Sequence, residues 1–171
     1  MTPIGFIVMG VAGSGKTTVG KALAARLDWD FFDADDFHPS ENIVKMAAGI
    51  PLNDSDRTPW LATLSDLLIS TLKAGRHPVL ACSALKESYR GQLLKEKDGV
   101  EVIYLKGSYD LLLGRLAGRQ GHFMKPEMLK SQFATLEEPK SALILDVSMP
   151  LEEMLDFVFE KRFGLANGPR D

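Results

Sequence analysis

The sequence has little of what marks a secreted, membrane-bound or nucleic-acid-binding protein. It contains a single cysteine, Cys82, so no disulfide can form within the chain. Its formal net charge is −3, and it therefore lacks the basic excess of nucleic-acid-binding domains. No apolar run approaches the roughly 20 residues that span a bilayer. The first residues also lack the basic region and cleavage site of a signal peptide. We therefore expect a cytoplasmic protein with no nucleic-acid or membrane partner.

What the sequence does contain is the pattern of an α/β domain. A chain of 171 residues, 45% hydrophobic and 25% charged, can form one domain with a sizeable core. Short apolar runs alternate with helical patterns, which is typical of βαβ units around a parallel sheet. These runs are 4–9, 31–34, 78–83, 101–106 and 143–147. We expect one domain over residues 1–166, a disordered tail over 167–171, and a core position for the Cys82 thiol.

A glycine-rich segment, residues 10–17, follows the first apolar run and fits G-x-x-x-x-G-K-[ST], the pattern of a phosphate-binding P-loop, without a mismatch. Glycines let the backbone turn tightly enough for its N–H groups to point at phosphate oxygens. Lys16 would reach the outer phosphates, and the Thr17 hydroxyl would ligate Mg²⁺. A plain turn between a strand and a helix is the alternative. The predicted nucleotide-binding residues are Gly10, Val11, Ala12, Gly13, Ser14, Gly15, Lys16, Thr17 and Thr18.

Three carboxylates, Asp33, Asp35 and Asp36, follow the second apolar run. Ligands of open α/β sheets bind beyond the carboxyl ends of the strands, so these acids should lie on the same side as the glycine-rich loop. Neighbouring acids repel each other unless a cation or a substrate compensates. A solvated acidic turn is the alternative. His38 follows directly, and by itself it indicates a structural hydrogen-bonding residue more readily than a catalytic one.

Cationic side chains follow the second and third apolar runs. Arg57 precedes a helix that we expect to begin with Thr58 as its cap and Pro59 in its first turn. Lys86 and Arg90 are four residues apart and share a helix face, which would suit an anionic ligand. The alternatives are a salt bridge from Arg57 to Asp54 or Asp56, and a solvated basic face for the other two cations.

A helix–loop–helix insert over about residues 115–136 carries Arg115 and Arg119. It resembles the mobile lid of small phosphate-transferring enzymes. A lid shields phosphoryl transfer from water, and its arginines can stabilise charge on the transferring group, so we predict catalytic and nucleotide-binding roles for both arginines. A static basic helix end is the alternative.

Several long motifs resemble the gluconate kinase (gluconokinase) family over about residues 4–163. They are GVAGSGKTT, DADDFHPSENIVKMAAGIPLNDSDRTPWL, CSALKESYR, YLKGSYDLLLGRLAGRQGHFM and LKSQFATLEEP. The resemblance implies phosphorylation of D-gluconate at its 6-hydroxyl, with ATP and Mg²⁺, by a protein that is often a homodimer. It also implies a three-layer P-loop kinase fold with a helical lid and a five-stranded parallel sheet in the order 2-3-1-4-5. Another acceptor, such as shikimate or a nucleoside monophosphate, remains an alternative, as does a non-enzymatic nucleotide switch.

The resemblance also carries roles for individual residues. By similarity to shikimate kinases, Asp35 falls where the substrate hydroxyl is held, and Asp33 falls near the water shell of Mg²⁺. We predict that Asp35, with Asp36 as the alternative, accepts the proton of the attacking hydroxyl. The carboxylate of gluconate must then lie far from the P-loop and needs cationic partners. We predict that Arg57 and Arg90 bind it, with the remaining acceptor contacts from Lys86, His38 and His122.

Overall fold

Strands and helices alternate throughout the part of the chain that the structure, a computed structural model, describes: residues 2–118 and 126–164. The strands are Gly5–Met9 (β1), Asp30–Asp33 (β2), Pro78–Ala81 (β3), Val100–Lys106 (β4) and Leu143–Asp146 (β5). The α-helices are Lys16–Leu27 (α1), Ser40–Ala47 (α2), Asp54–Lys73 (α3), Glu87–Leu94 (α4), Tyr109–Ala117 (α5), Pro126–Thr135 (α6) and Leu151–Phe163 (α7). A short 3₁₀-helix, Ala34–Phe37, follows β2.

The five strands form one parallel sheet in the order β2-β3-β1-β4-β5. This confirms both the predicted α/β class and the strand order implied by the family resemblance. Because all strands run in the same direction, their carboxyl ends meet at one edge of the sheet. The connections after β1, β2 and β3 therefore start side by side, and these connections carry most of the predicted site residues.

The core has two halves, one on each face of the sheet. Along β1, Phe6 and Val8 face one half, while Ile7 and Met9 face the other, as the alternation of a strand requires. The first half is completed mainly by α1, α5, α6 and α7, and the second mainly by α3 and α4. This gives the predicted three layers. Cys82, 2% exposed, packs in the second half. Within the described ranges, no helix is both long and apolar enough to cross a membrane.

Helix α3 begins earlier than the sequence predicted. Asn53 caps the helix in a capping box: its side chain accepts the Asp56 N–H at 2.8 Å, and the Asp56 carboxylate accepts the Asn53 N–H at 3.0 Å. The prediction of Thr58 as the cap was wrong, and Pro59 lies inside the helix. Arg57 consequently sits on the helix, in a fixed direction, and not in a flexible loop.

On both sides of residues 119–125, the predicted lid segment packs into the core. Leu116 near the end of α5 is 7% exposed, and Leu129 on α6 is fully buried. Phe133 on α6 also contacts the Tyr109 ring edge-on, with 5.7 Å between the ring centres. The predicted residues Arg119 and His122 lie outside the described residues.

Candidate active site

The glycine-rich loop connects β1 to α1, as predicted. A Cβ atom on Gly10 would lie 2.5 Å from the Ser14 hydroxyl oxygen, so glycine is required there for packing. Gly15 precedes α1 with a φ of 93°, a left-handed conformation that glycine adopts without strain. No side chain caps α1, so the N–H groups of its first turn are open to an anion. The Lys16 ammonium donates to the Val11 carbonyl at 3.2 Å.

Thr17 and Asp33 bring a hydroxyl and a carboxylate together at the edge of the sheet. The Thr17 hydroxyl donates to Asp33 Oδ2 at 2.9 Å, and Asp33 Oδ1 accepts the Asp35 N–H at 3.0 Å. Oxygen ligands of these two kinds suit Mg²⁺, which keeps several waters and is normally bound through one or two protein oxygens together with substrate phosphates. The predicted metal residues therefore fit the ion.

Asp35 faces a cavity of about 530 Å³, which is named the main cavity because both Lys16 and Asp35 line it. Its walls include Lys16 from the P-loop, Asp33 at the end of β2, Asp35 in the following 3₁₀-helix, and Ser83 after β3. Partial burial in this cavity, followed by the negative charge of Asp33, raises the pKa of Asp35, while Lys16 opposes the shift. Asp36 does not line the cavity, which favours Asp35 over its neighbour as the proton acceptor.

His38 is held beside this cavity by two contacts. Its ring stacks on Trp60, with 4.2 Å between ring centres, and Nδ1 lies 3.3 Å from Asn42 Nδ2. The same amide nitrogen donates to the Asp56 carbonyl at 3.0 Å. Its second hydrogen is therefore directed at Nδ1, which leaves the proton of a neutral ring on Nε2. Burial lowers the pKa of His38, which favours this neutral form.

Arg57 belongs to a polar cluster between α3 and α4. Its Nη1 donates to the Tyr89 hydroxyl at 3.3 Å, and its guanidinium lies 5.6 Å from the centre of the Tyr89 ring. The Asp54 carboxylate accepts from the Tyr89 hydroxyl and from Lys86, the latter at 3.1 Å. Asp56 instead pairs with Lys45 at 2.8 Å. Among the described residues no carboxylate forms a salt bridge with Arg57, so the alternatives proposed for it from the sequence do not occur there.

Arg90 takes a different direction from the one predicted. It is 5% exposed, and Nη1 donates to the carbonyls of Ala84 at 2.8 Å and Leu85 at 3.1 Å. Its Nη2 donates to the Glu137 carbonyl at 2.8 Å. The guanidinium therefore joins the turn before α4 to the segment after α6. These contacts fit a structural brace and not the predicted anchor for the acceptor carboxylate.

A second cavity of about 630 Å³ lies on the other side of the P-loop. Its walls include Gly13 and Gly15, Arg115 at the end of α5, and residues 147–150 after β5. Arg115 donates to the Val147 carbonyl and so ties α5 to the loop after β5. This cavity adjoins the loop predicted to hold phosphates and offers room for the rest of a nucleotide.

Comparisons with known proteins agree with this geometry. A sequence model of the shikimate kinase family matches residues 12–148. A probable gluconokinase of Mus musculus is 51% identical, over 79% of this chain and 83% of that protein. The thermoresistant gluconokinase of Escherichia coli K12 is 42% identical, over 91% of both chains. The chain belongs to the gluconokinase family. A crystal structure of a gluconokinase from Sinorhizobium meliloti 1021 superposes with a TM-score of 0.80 at 43% identity, over 90% of this chain and 88% of that chain.

Two contributors to this gluconokinase-family site were not predicted. Tyr89 links Arg57 to Asp54, and Gln132 on α6 accepts the Ala12 N–H at 2.7 Å and lines the main cavity. Neither residue carries a chemical signal of its own, because a tyrosine on a helix and a glutamine on a helix are ordinary residues. Tyr89 lies inside the CSALKESYR motif and Gln132 inside the LKSQFATLEEP motif, and these motifs are the signals that could have found them.

Proposed function

We propose that the chain transfers the terminal phosphoryl group of ATP to the 6-hydroxyl of D-gluconate. The observation that carries this proposal is that Lys16 and Asp35 line one cavity. A phosphate-binding cation and a proton-accepting carboxylate in one cavity are what transfer to an alcohol requires. The names of the relatives, all gluconokinases, support gluconate as the acceptor.

In the proposed reaction the 6-hydroxyl oxygen attacks the terminal phosphorus of ATP. A new oxygen–phosphorus bond forms, the bond from that phosphorus to the bridging oxygen breaks, and ADP leaves with the electron pair. The hydroxyl proton passes to the Asp35 carboxylate. Lys16 and the N–H groups at the start of α1 hold the phosphates during this step. Asp35 must be ionised to act, so turnover should fall as the pH drops through its raised pKa.

Thr17 and Asp33 are the residues that would hold Mg²⁺. When bound, the ion supplies positive charge that offsets the charge of the phosphates. The 2.9 Å hydrogen bond between these two side chains supports this role, because it brings their oxygens together. Arg115, which lines the second cavity beside the P-loop, is proposed to approach the phosphates on closure; the same role for Arg119 stays a prediction.

For the acceptor, we propose that Arg57 binds the carboxylate of gluconate. A guanidinium can bind both oxygens of a carboxylate, and Tyr89 fixes its direction. Lys86 and His38 are proposed to contact the sugar hydroxyls, and the same role for His122 stays a prediction. The homodimer and the cytoplasmic location also stay proposals that rest on the sequence, and analytical ultracentrifugation would test the first.

A coupled assay of ADP release tests the whole proposal. Purified protein is supplied with ATP, Mg²⁺ and either gluconate, glucose, shikimate or a nucleoside monophosphate. We expect rapid turnover with gluconate alone. Faster turnover with shikimate or a nucleoside monophosphate would reassign the acceptor, and slow hydrolysis that no acceptor accelerates would favour a nucleotide switch.

A further inference from the structure

Gln132 reaches the P-loop from a helix that is fixed to the core. Leu129, three residues earlier on α6, is fully buried, and the neighbouring Phe133 packs on Tyr109. Gln132 itself is half-buried, and its Oε1 accepts the Ala12 N–H at 2.7 Å. The two residues are 120 positions apart in the chain. A glutamine held this firmly has lost much of its rotamer freedom, so its remaining polar atoms are well placed to act.

The hydrogen bond to Ala12 fixes which way the amide points. A backbone N–H can only donate, so the atom facing it must be the carbonyl oxygen Oε1. The two N–H bonds of Nε2 therefore remain for another partner, and Nε2 makes no hydrogen bond to the described residues. Because Gln132 lines the main cavity together with Lys16 and Asp35, a ligand in that cavity could accept a hydrogen bond from these donors.

The peptide that Gln132 holds also contacts Lys16. Its N–H, from Ala12, donates to Gln132, while its carbonyl, from Val11, accepts from the Lys16 ammonium. One peptide group is thus fixed from both sides by side chains that line the cavity. This places the Gln132 amide close to the end of the P-loop where Lys16 meets the outer phosphates.

We propose that Gln132 is a further catalytic residue, whose Nε2 donates a hydrogen bond to an oxygen of the transferring phosphoryl group. The proposal rests on the phosphoryl transfer proposed above. Charge on that group spreads over its outer oxygens during transfer, so a donor held in advance by a rigid helix stabilises it with little reorganisation. The amide is neutral and adds this stabilisation without another cation.

The variant Gln132→Glu distinguishes the role of the amide oxygen from the role of the Nε2 donors. A glutamate keeps an oxygen for the Ala12 N–H but replaces the Nε2 donors with a negative oxygen. We expect the kcat at saturating ATP and gluconate to fall about 10²-fold or more, which is the scale for losing one donor to a developing charge. We expect weaker binding of a non-hydrolysable ATP analogue with little change in ADP binding, because ADP lacks the terminal phosphoryl group. The melting temperature should stay near that of the wild type.

Two companion variants complete the experiment. Gln92→Glu makes the same change on an exposed position of α4 and should leave both the kcat and the ratio of analogue to ADP affinity unchanged. Gln132→Met removes both ends of the amide and should lower the kcat as well, with a smaller loss of analogue affinity because it adds no negative charge.

The proposal is overturned if Gln132→Glu keeps a kcat within about twofold of the wild type, or if its ratio of analogue to ADP affinity equals that of the wild type. A large loss of melting temperature with an unchanged affinity ratio would show a purely structural role and would equally overturn it. The affinity ratio needs no acceptor, so its result is independent of whether gluconate is the substrate. The acceptor assay on the wild-type protein tests that separately.

Discussion

Replacing Arg90 with alanine distinguishes the role that the sequence predicted from the role that the structure favours. If Arg90 bound the carboxylate of gluconate, Arg90→Ala would raise the KM for gluconate and leave the fold stable. If Arg90 is a brace, the main loss is in stability. Three carbonyls, those of Ala84, Leu85 and Glu137, accept its hydrogen bonds at 2.8, 3.1 and 2.8 Å.

The size of the stability loss follows from these contacts. A hydrogen bond from a charged group contributes about 1.5–3 kcal/mol, and desolvation of the guanidinium offsets part of the sum. Removing the side chain leaves three carbonyls without their donors. Ala84 also has a φ of 44°, a strained conformation that the bond from Arg90 holds in place. We expect a loss of about 3–5 kcal/mol, which for a protein of this size lowers the melting temperature by about 6–20 °C.

Thermal unfolding and steady-state kinetics on the same protein samples provide the assay. Arg90→Lys is the matched control, since it keeps the charge but not the planar set of donors. If Arg90 is a structural brace, Arg90→Lys should recover little of the melting temperature that Arg90→Ala loses. If Arg90 binds the carboxylate of gluconate, Arg90→Lys should recover part of the loss in KM. The reasoning is refuted if Arg90→Ala melts within about 2 °C of the wild type while its KM for gluconate rises steeply.

Three further predictions concern the proposed reaction. Lys16→Ala should nearly abolish turnover at an almost unchanged melting temperature, and retention of most of the wild-type rate would reject the P-loop assignment. Asp35→Asn should lower the kcat by about 10²-fold or more with little effect on ATP affinity; a larger loss in Asp36→Asn would move the role to the neighbour. Because burial and Asp33 raise the pKa of Asp35, its ionised form destabilises the folded protein. Asp35→Asn should therefore raise the melting temperature at neutral pH, and the difference should vanish below the usual pKa of 3.8, where the carboxyl is protonated in both states. Arg57→Ala should raise the KM for gluconate about 30-fold or more and spare the KM for ATP, and glucose should be a poor acceptor; equal use of glucose and gluconate would contradict this.

The parts of the molecule that could be predicted are those that depend on local patterns. The P-loop is a contiguous motif, and the strands are contiguous apolar runs, so both were found from neighbouring residues. The order of the strands depends on pairing between distant segments, and it came from the family resemblance. The start of α3 was missed because two signals compete there: the capping box of Asn53 and Asp56 is stronger than the Thr58–Pro59 pair, since it satisfies two backbone groups at once.

The side chains that were assigned differently depend on contacts that spacing cannot reveal. Lys86 and Arg90 are four residues apart, yet Lys86 pairs with Asp54 while Arg90 turns to the carbonyl of Glu137, 47 residues away. Helix periodicity predicts which residues share a face of the helix, but it does not predict which other residues that face contacts. The same limit applies to Gln132 and Ala12.

Asp33 and Asp35, at and just after the end of β2, have different hydrogen-bond partners, and this difference supports their separate proposed roles. Asp33 accepts hydrogen bonds from the Thr17 hydroxyl and the Asp35 N–H, which fix the direction of its carboxylate, as suits a metal ligand. The Asp35 carboxylate accepts none from the described residues, and its pKa is raised by burial and by Asp33. A carboxylate that binds protons more tightly than usual is a better proton acceptor. Asp33 bonds the Thr17 hydroxyl through Oδ2 and the Asp35 N–H through Oδ1, so one short turn fixes both the proposed metal ligand and the backbone of the proposed proton acceptor.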